Sequence, residues 1–415
     1  MTAAGLSTGG RGFGAGTRGR VISALGVGQI LAWGSSYYLP AVLGHPMAAA
    51  TGWSYAWVTG GLSLGLLVSG LAAIHVGRAI DTHGGRPVLV GSSLLMGAGL
   101  LLLAAAPSLP VYIAAWLVLG LAMGSGLYDA AFSTLGRLYG RDARSAISSL
   151  TLWGGFASTV CWPLSAFLVE TVGWRGTCLV YAAIHLCLVL PLHFFVVPRE
   201  ARRERETLRA AETPADETRI GSTRRLVLFV LVAAILTSGS MIAGMWSVHI
   251  ITILQANGLA LAAAVGLGAL VGPSQVGARI VERLFGTRHH PIWTLSAAAI
   301  LVGGGLVLLL LGPPLPAAAL IAYGAGNGIW SIARGTLPLA VFGASGYAAL
   351  MGRLVTPSLI AQALSPSIGA VLMQAHGVSA ALYVLVGLGA FNIVGVVALW
   401  ILLWRAMRQG GAEVG

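Results

Sequence analysis

Gly77-Arg-Ala-Ile-Asp81-Thr-His-Gly84-Gly85-Arg86-Pro87 is a short charged turn with a long apolar run on each side. Gly77 stands near the end of one run. Gly84 and Gly85 allow a sharp reversal, and Arg86 and Pro87 open the next run. Proline suits a first helical turn because the N–H it lacks has no partner there. Asp81 stands near a helix start, where negative charge is favoured. The stretch reads as a hairpin between two membrane helices.

Outward from this turn, composition sets the class. The chain has 415 residues, 57% hydrophobic and 9% charged, with mean hydropathy +0.86. A soluble domain carries roughly 25% charged residues. This points to an all-α polytopic membrane protein, and no removable signal peptide is read at its start. There is no lysine, so the 24 basic residues are all arginine. The topology below places every arginine but Arg175 on one side. That bias sets orientation, so the net charge of +12 calls for no nucleic-acid partner. Cys161, Cys178 and Cys187 fall within apolar runs and form neither a disulfide framework nor a zinc spacing.

Twelve apolar spans are expected, each near the ~20 residues a bilayer needs. They cover residues 21–42, 55–76, 87–106, 109–132, 146–172 and 176–197. After these come 226–254, 259–279, 291–311, 316–333, 349–375 and 378–404. Residues 1–20 form a polar tail, 198–225 a linker with eight arginines and six acids, and 405–415 a second tail. An even number of spans puts both termini on the arginine-rich, cytoplasmic side. Residues 21–197 and 226–404 each hold six of these spans. Leu64-Gly-Leu-Leu-Val68 with Gly77 is echoed by Leu267-Gly-Ala-Leu-Val271 with Gly277. Gly286, Arg288 and Pro291 stand roughly as Gly84, Arg86 and Pro87 do.

Gly77-x-x-x-Asp81-x-x-Gly84-x-Arg86 resembles the signature between the second and third helices of the major facilitator superfamily, and the twelve-span repeat is similar to its two-bundle architecture. The resemblance implies a secondary transporter working by alternating access, not an enzyme. It implies gating by Gly77, Asp81, Gly84 and Arg86, with Arg137 or Arg144 as partners of Asp81. In that family the first, fourth, seventh and tenth helices line the central cavity.

Polar side chains inside a bilayer are costly and usually face a cavity or another helix. Span 1 carries Gln29, Trp33, Ser36 and Tyr37 on one face. Span 4 carries Tyr128 and Asp129, and span 5 carries Trp153. Span 7 carries Met241, Met245 and His249, spaced four apart, and span 10 carries Tyr323, Asn327, Trp330 and Arg334. These are the expected substrate-binding stripes, although aromatic and methionine stripes also pack helix on helix. Asp129 and His249 are the proton-coupling candidates. Asp129 also reads as one member of an ion pair with Arg137 or Arg144, His249 as a packing residue, and Arg334 as an arginine reaching for the cytoplasm.

Gln275-Val-Gly-Ala-Arg279 resembles the Asp-x-x-Ala-Arg segment of monocarboxylate transporters. The resemblance implies that Arg279 meets a substrate carboxylate. The alternative places Arg279 at the inner mouth as a loop charge. Thr51-Gly-Trp-Ser54 is similar to an outer-loop feature of bacterial monocarboxylate and oxalate carriers. The expectation is a proton-coupled or exchanging carrier of a small organic anion in a bacterial inner membrane, monomeric and without cofactor. Three alternatives stay open. One is efflux of amphipathic drug-like compounds. Another is a soft-metal carrier: Met241, Met245 and His249 suit Cu(I) and resemble an element of bacterial copper importers. The last is a membrane sensor that no longer transports.

Overall fold

The computed structural model describes residues 15–199, 222–312 and 315–412. Those residues are helical nearly throughout, with no strand among them. In lipid this is forced, because a helix satisfies its backbone groups within its own segment. The helices are α1 (Ala15–Ser35), α2 (Leu39–Thr51), α3 (Tyr55–His83), α4 (Gly85–Ala105), α5 (Leu109–Gly126), α6 (Tyr128–Tyr139), α7 (Ala143–Gly155) and α8 (Ala157–Ile184). Two π-helical turns follow, His185–Val189 and Leu192–Val196. Next come α9 (Ser222–Ala256), α10 (Leu261–Gly268), α11 (Val271–Phe285), α12 (Pro291–Leu311), α13 (Pro316–Phe342), α14 (Tyr347–His376) and α15 (Val378–Ala412).

Eight helical stretches among the described residues are long and apolar enough to cross a membrane. Expected spans 5 and 6 form one such stretch, Ala143–Val196. They are joined at Gly173, whose φ of 70° and ψ of 174° turn the chain within a single residue; glycine reaches that conformation without a Cβ clash. Expected spans 1, 8 and 10 are not among the eight. Span 1 breaks at residues 36–38, because Pro40 cannot donate back into the preceding turn. Span 8 breaks between α10 and α11, before Gly272-Pro273. Span 10 is continuous but carries Asn327, Ser331 and Arg334.

Several expected boundaries shift. Residues 15–20, expected in the polar tail, form the first turns of α1. There Arg18 donates to the Asp142 carbonyl at 2.7 Å and bonds the Ser145 hydroxyl. Residues 222–225 begin α9 instead of ending the linker, and α15 runs on to Ala412. The linker expectation for residues 200–221 and the tail expectation for 1–14 and 413–415 lie outside the described residues.

The elements before and after the linker meet along α3 against α14, α7 against α11 and α13, and α6 against α14. By contrast α2 packs mainly on α3 and α8, and α10 mainly on α9 and α13. The two sets of helices are therefore joined chiefly at the end that carries Asp81 and Arg144.

Candidate functional site

The site is built where two helices break. Span 4 is interrupted at Leu127, whose backbone is extended, so α5 ends at Gly126 and α6 begins at Tyr128. The break frees the Gly126 carbonyl, and the Gln29 amide donates to it at 2.7 Å. The other end of that amide accepts from the Trp33 indole at 3.1 Å. Gln29, expected to bind substrate, is 1% exposed and braces the break. It holds Trp33 in place.

An aromatic cluster follows from that placement. The Trp33 ring lies 5.3 Å from Tyr37, 6.1 Å from Tyr38 and 5.2 Å from Tyr128. Tyr128 stacks on Phe132 at 5.0 Å, and Tyr38 meets Trp162 at 5.9 Å. The turn at residues 36–38 aims Tyr37 across the molecule, where its hydroxyl accepts from Gln362 of α14 at 3.3 Å. Trp153 packs its ring against Gly26 of α1.

Arg279 reaches this cluster from α11. It is 6% exposed, so it is buried rather than a loop charge. Its Nε donates to the Gly328 carbonyl of α13 at 3.0 Å, and its Nη1 to the Thr151 carbonyl of α7 at 3.3 Å. The Tyr128 hydroxyl donates to the same Thr151 oxygen at 3.4 Å. Both partners of the guanidinium are neutral carbonyls, and no carboxylate among the described residues pairs with it. A buried charge without a counter-charge is costly. An anion beside the Tyr128–Trp33 cluster would supply one.

Arg334 is placed differently from the expectation. It is ion-paired with Asp129 at 2.7 Å, whereas Arg137 stands by Asp81 and Arg144 by Glu282. Asp129 stands in the first turn of α6, where the helix end favours its charge. Its second oxygen and the Arg334 Nε are buried without partners.

On α13, Tyr323 stacks on Trp246 with centroids 3.8 Å apart. Tyr323, Asn327 and Trp330 line a small cavity with Gly239, Ile242 and Asn392. Gln275 lies on α11 with its backbone against Gly328. The Met241–Met245–His249 stripe packs into the apolar interior: Met245 is buried and Met241 packs against the same cluster. His249 Nε2 donates to the Pro366 carbonyl at 2.8 Å, and Met245 and His249 both pack on Gly369 of α14.

The expected gate residues also separate. The Asp81 carboxylate accepts from the Ala349 amide at 2.7 Å, at the start of α14. Arg137 lies 3.9 Å from that carboxylate and donates to the Asp81 carbonyl at 2.9 Å. At Gly77 a Cβ would stand 2.3 Å from the Ala348 carbonyl, so only glycine lets α3 and α14 approach this closely. Gly84, at φ 85°, makes the turn into α4. Arg86 is not at this contact; its guanidinium lies 4.6 Å over the Phe194 ring. Arg144 is not a partner of Asp81 either. It bonds the Gly286 and His289 carbonyls after α11 and lies 4.0 Å from Glu282. In the last turn of the same helix, Arg283 Nε donates to Ser149 of α7 at 3.1 Å.

Sequence reading gave no role to Thr151 and Gly328, because a carbonyl acceptor leaves no side-chain signal, and none to Glu282, whose partners Arg144 and Thr294 lie far away or beyond the turn in sequence. It also gave no role to His185 and His193. Both are buried in the π-helical turns, where His185 bonds Ser35 at 2.8 Å and His193 bonds Ser93 at 2.9 Å.

Comparison with known proteins gives a consistent picture. The model of the Major Facilitator Superfamily matches residues 25–352. Monocarboxylate transporter 11 of Mus musculus is 36% identical over 137 residues, 32% of this chain and 29% of that protein, so under a third of that relative's length is matched. The Gentisate transporter of Corynebacterium glutamicum is 26% identical over 327 residues, covering 75% of this chain and 72% of that one. Among solved structures, a proton:xylose symporter superposes with TM-score 0.74 at 12% identity, covering 94% of this chain and 96% of the symporter. A human organic anion transporter superposes with TM-score 0.70 at 16% identity, covering 91% and 99%. At these identities the structural likeness shows the fold.

Proposed function

Because this chain belongs to the Major Facilitator Superfamily, we propose that this transporter carries a small organic anion, of the monocarboxylate class, by alternating access. The observation that carries the reading is Arg279: a buried guanidinium bonded only to neutral carbonyls, with aromatic rings beside it. A carboxylate fits a guanidinium in a two-bond, charge-assisted geometry. Trp33, Tyr37 and Tyr128 offer ring faces and hydroxyls to the rest of the solute. The named substrates of the monocarboxylate and gentisate relatives support a carboxylate, the second of them an aromatic one.

In this reading twelve spans form two six-helix bundles with both termini in the cytoplasm of a bacterial inner membrane, and the carrier acts as a monomer. The contacts of Asp81 with α14, and of Arg144 and Arg283 across α7 and α11, then lie at the cytoplasmic face. The inner gate is closed, and the path opens outward. Asp129 and Arg334 are the coupling pair: protonation of Asp129 removes the charge that holds Arg334, and a proton travels with the anion.

The test is counterflow in proteoliposomes loaded with unlabelled benzoate, with labelled benzoate outside. Accumulation of label supports the reading. No accumulation with benzoate, gentisate or lactate, together with accumulation of a cationic dye or of Cu(I), would replace it.

A further inference from the structure

We propose that Arg279 is also a substrate-operated catch on the inner gate, made possible by Gly155: in the empty carrier its guanidinium ties α7 to α11, and an arriving anion takes the guanidinium and unties them. This rests on the reading of Arg279 as the anion's partner.

The two bonds of Arg279 differ in what they join. The Gly328 bond, 3.0 Å, links α11 to α13, both of which follow the linker. The Thr151 bond, 3.3 Å, links α11 to α7, which precedes it. Only the second must break if the two sets of helices part at this end. It is also the longer bond, and its acceptor has a substitute donor in the Tyr128 hydroxyl at 3.4 Å. Releasing Arg279 therefore does not orphan the Thr151 oxygen.

The approach of Arg279 to α7 depends on a missing side chain. A Cβ at Gly155 would stand 2.4 Å from Arg279 Nη1. The atom it meets is the tip of a flexible side chain, so an alanine there displaces the guanidinium and leaves the helix standing. Gly155 closes α7, at the negative end of that helix, which favours a cation. A carboxylate is the stronger competitor, because a bond between two ionised groups exceeds one between an ion and a neutral carbonyl. Exchange of Thr151 for substrate is downhill, and it removes one of the few bonds between α7 and α11. Those remaining among the described residues are Arg283 to Ser149, and Arg144 to Glu282 and to the turn after α11.

The test places spin labels at Asp142→Cys and Arg288→Cys, both exposed positions, in a background with Cys187→Ser, and measures the distance distribution in nanodiscs. Without ligand the wild type should give the short distance, and saturating benzoate should raise the long-distance fraction. Gly155→Ala should show the long-distance fraction already raised without benzoate, with the open-to-closed ratio up about tenfold, the scale of one hydrogen bond to a charged group. It should still bind benzoate. Arg279→Gln should likewise open without ligand and should not respond to benzoate. If both variants match the ligand-free wild type, there is no catch. Should Gly155→Ala fail to fold, Arg279→Gln alone decides the point. Wild type that ignores benzoate while both variants open would overturn the substrate assignment and keep the catch as an interhelical tie.

Discussion

Asp129 and Arg334 meet at 2.7 Å although 205 positions separate them, one at the start of α6 and the other within α13. The pair lies mostly out of solvent, at 22% and 16% side-chain exposure. Removing one member of a buried pair costs about 3–5 kcal/mol, and partial exposure brings this pair to about 1–3 kcal/mol. Asp129→Asn should lower thermal stability in detergent, and Arg334→Gln added to it should restore part of the loss. In proteoliposomes the single variant should lose proton-driven uptake and keep benzoate exchange. Unchanged proton-driven uptake in Asp129→Asn would remove the pair from coupling.

The Asp81 contact predicts a conformational effect. Its carboxylate accepts from the Ala349 amide at the positive end of α14, with Arg137 beside it. Asp81→Asn keeps an acceptor but loses the charge, worth about 0.3–1 kcal/mol at a helix end. Gly77→Ala acts more strongly, since the new Cβ would meet the Ala348 carbonyl. Both should leave folded protein in the membrane with slower transport, Gly77→Ala by more than about tenfold if the clash exceeds 1.4 kcal/mol. The check is initial uptake rate normalised to protein in the membrane. Wild-type rates in both would show that this contact does not gate.

Gln29 predicts the reverse pattern, loss of stability before loss of recognition. Its amide satisfies the carbonyl freed at Gly126. Gln29→Leu leaves that buried acceptor unpaired, at a cost of about 1–3 kcal/mol. The melting temperature should fall while the residual folded carrier binds benzoate within about threefold of wild type. A loss of affinity without a loss of stability would return Gln29 to direct substrate contact.

Glu282 gives a pH prediction outside the spans. Burial raises its carboxyl above the ordinary range, with Thr294, Arg144 and His289 pulling it back. Such a group holds its proton more tightly folded than unfolded. Its stabilising contribution is complete below the unfolded value, about 4.3, and is lost as pH rises through the raised folded value. Across that window the wild type should lose stability more steeply with rising pH than Glu282→Gln. Melting curves in detergent at several pH values test this, and parallel curves for the two proteins would count against it.

The turn at residues 77–87 and the apolar runs made the helical membrane fold and its family legible, because both are written in local composition. The site was legible only in part. Arg279, Tyr128 and Trp33 are rare polar or amphipathic groups in apolar runs, and the fold brings them near one another. Arg334 read as a binding residue because its partner Asp129 lies far away in sequence. Gln29 read as cavity-lining because the helix break it braces depends on the extended backbone at Leu127, which no side chain announces. The catch at Thr151 and Gly155 uses a carbonyl and an absent side chain, neither of which leaves a pattern.

Arg279 carries the anion assignment, and benzoate binding to purified Arg279→Gln and Arg279→Lys measures its role directly. Titration calorimetry in detergent should show wild-type binding, weakening of more than about a hundredfold in Arg279→Gln, and partial recovery in Arg279→Lys, which keeps the charge without the planar fork. Benzoate affinity in Arg279→Gln equal to that of the wild type would contradict the assignment of Arg279 as the anion's partner.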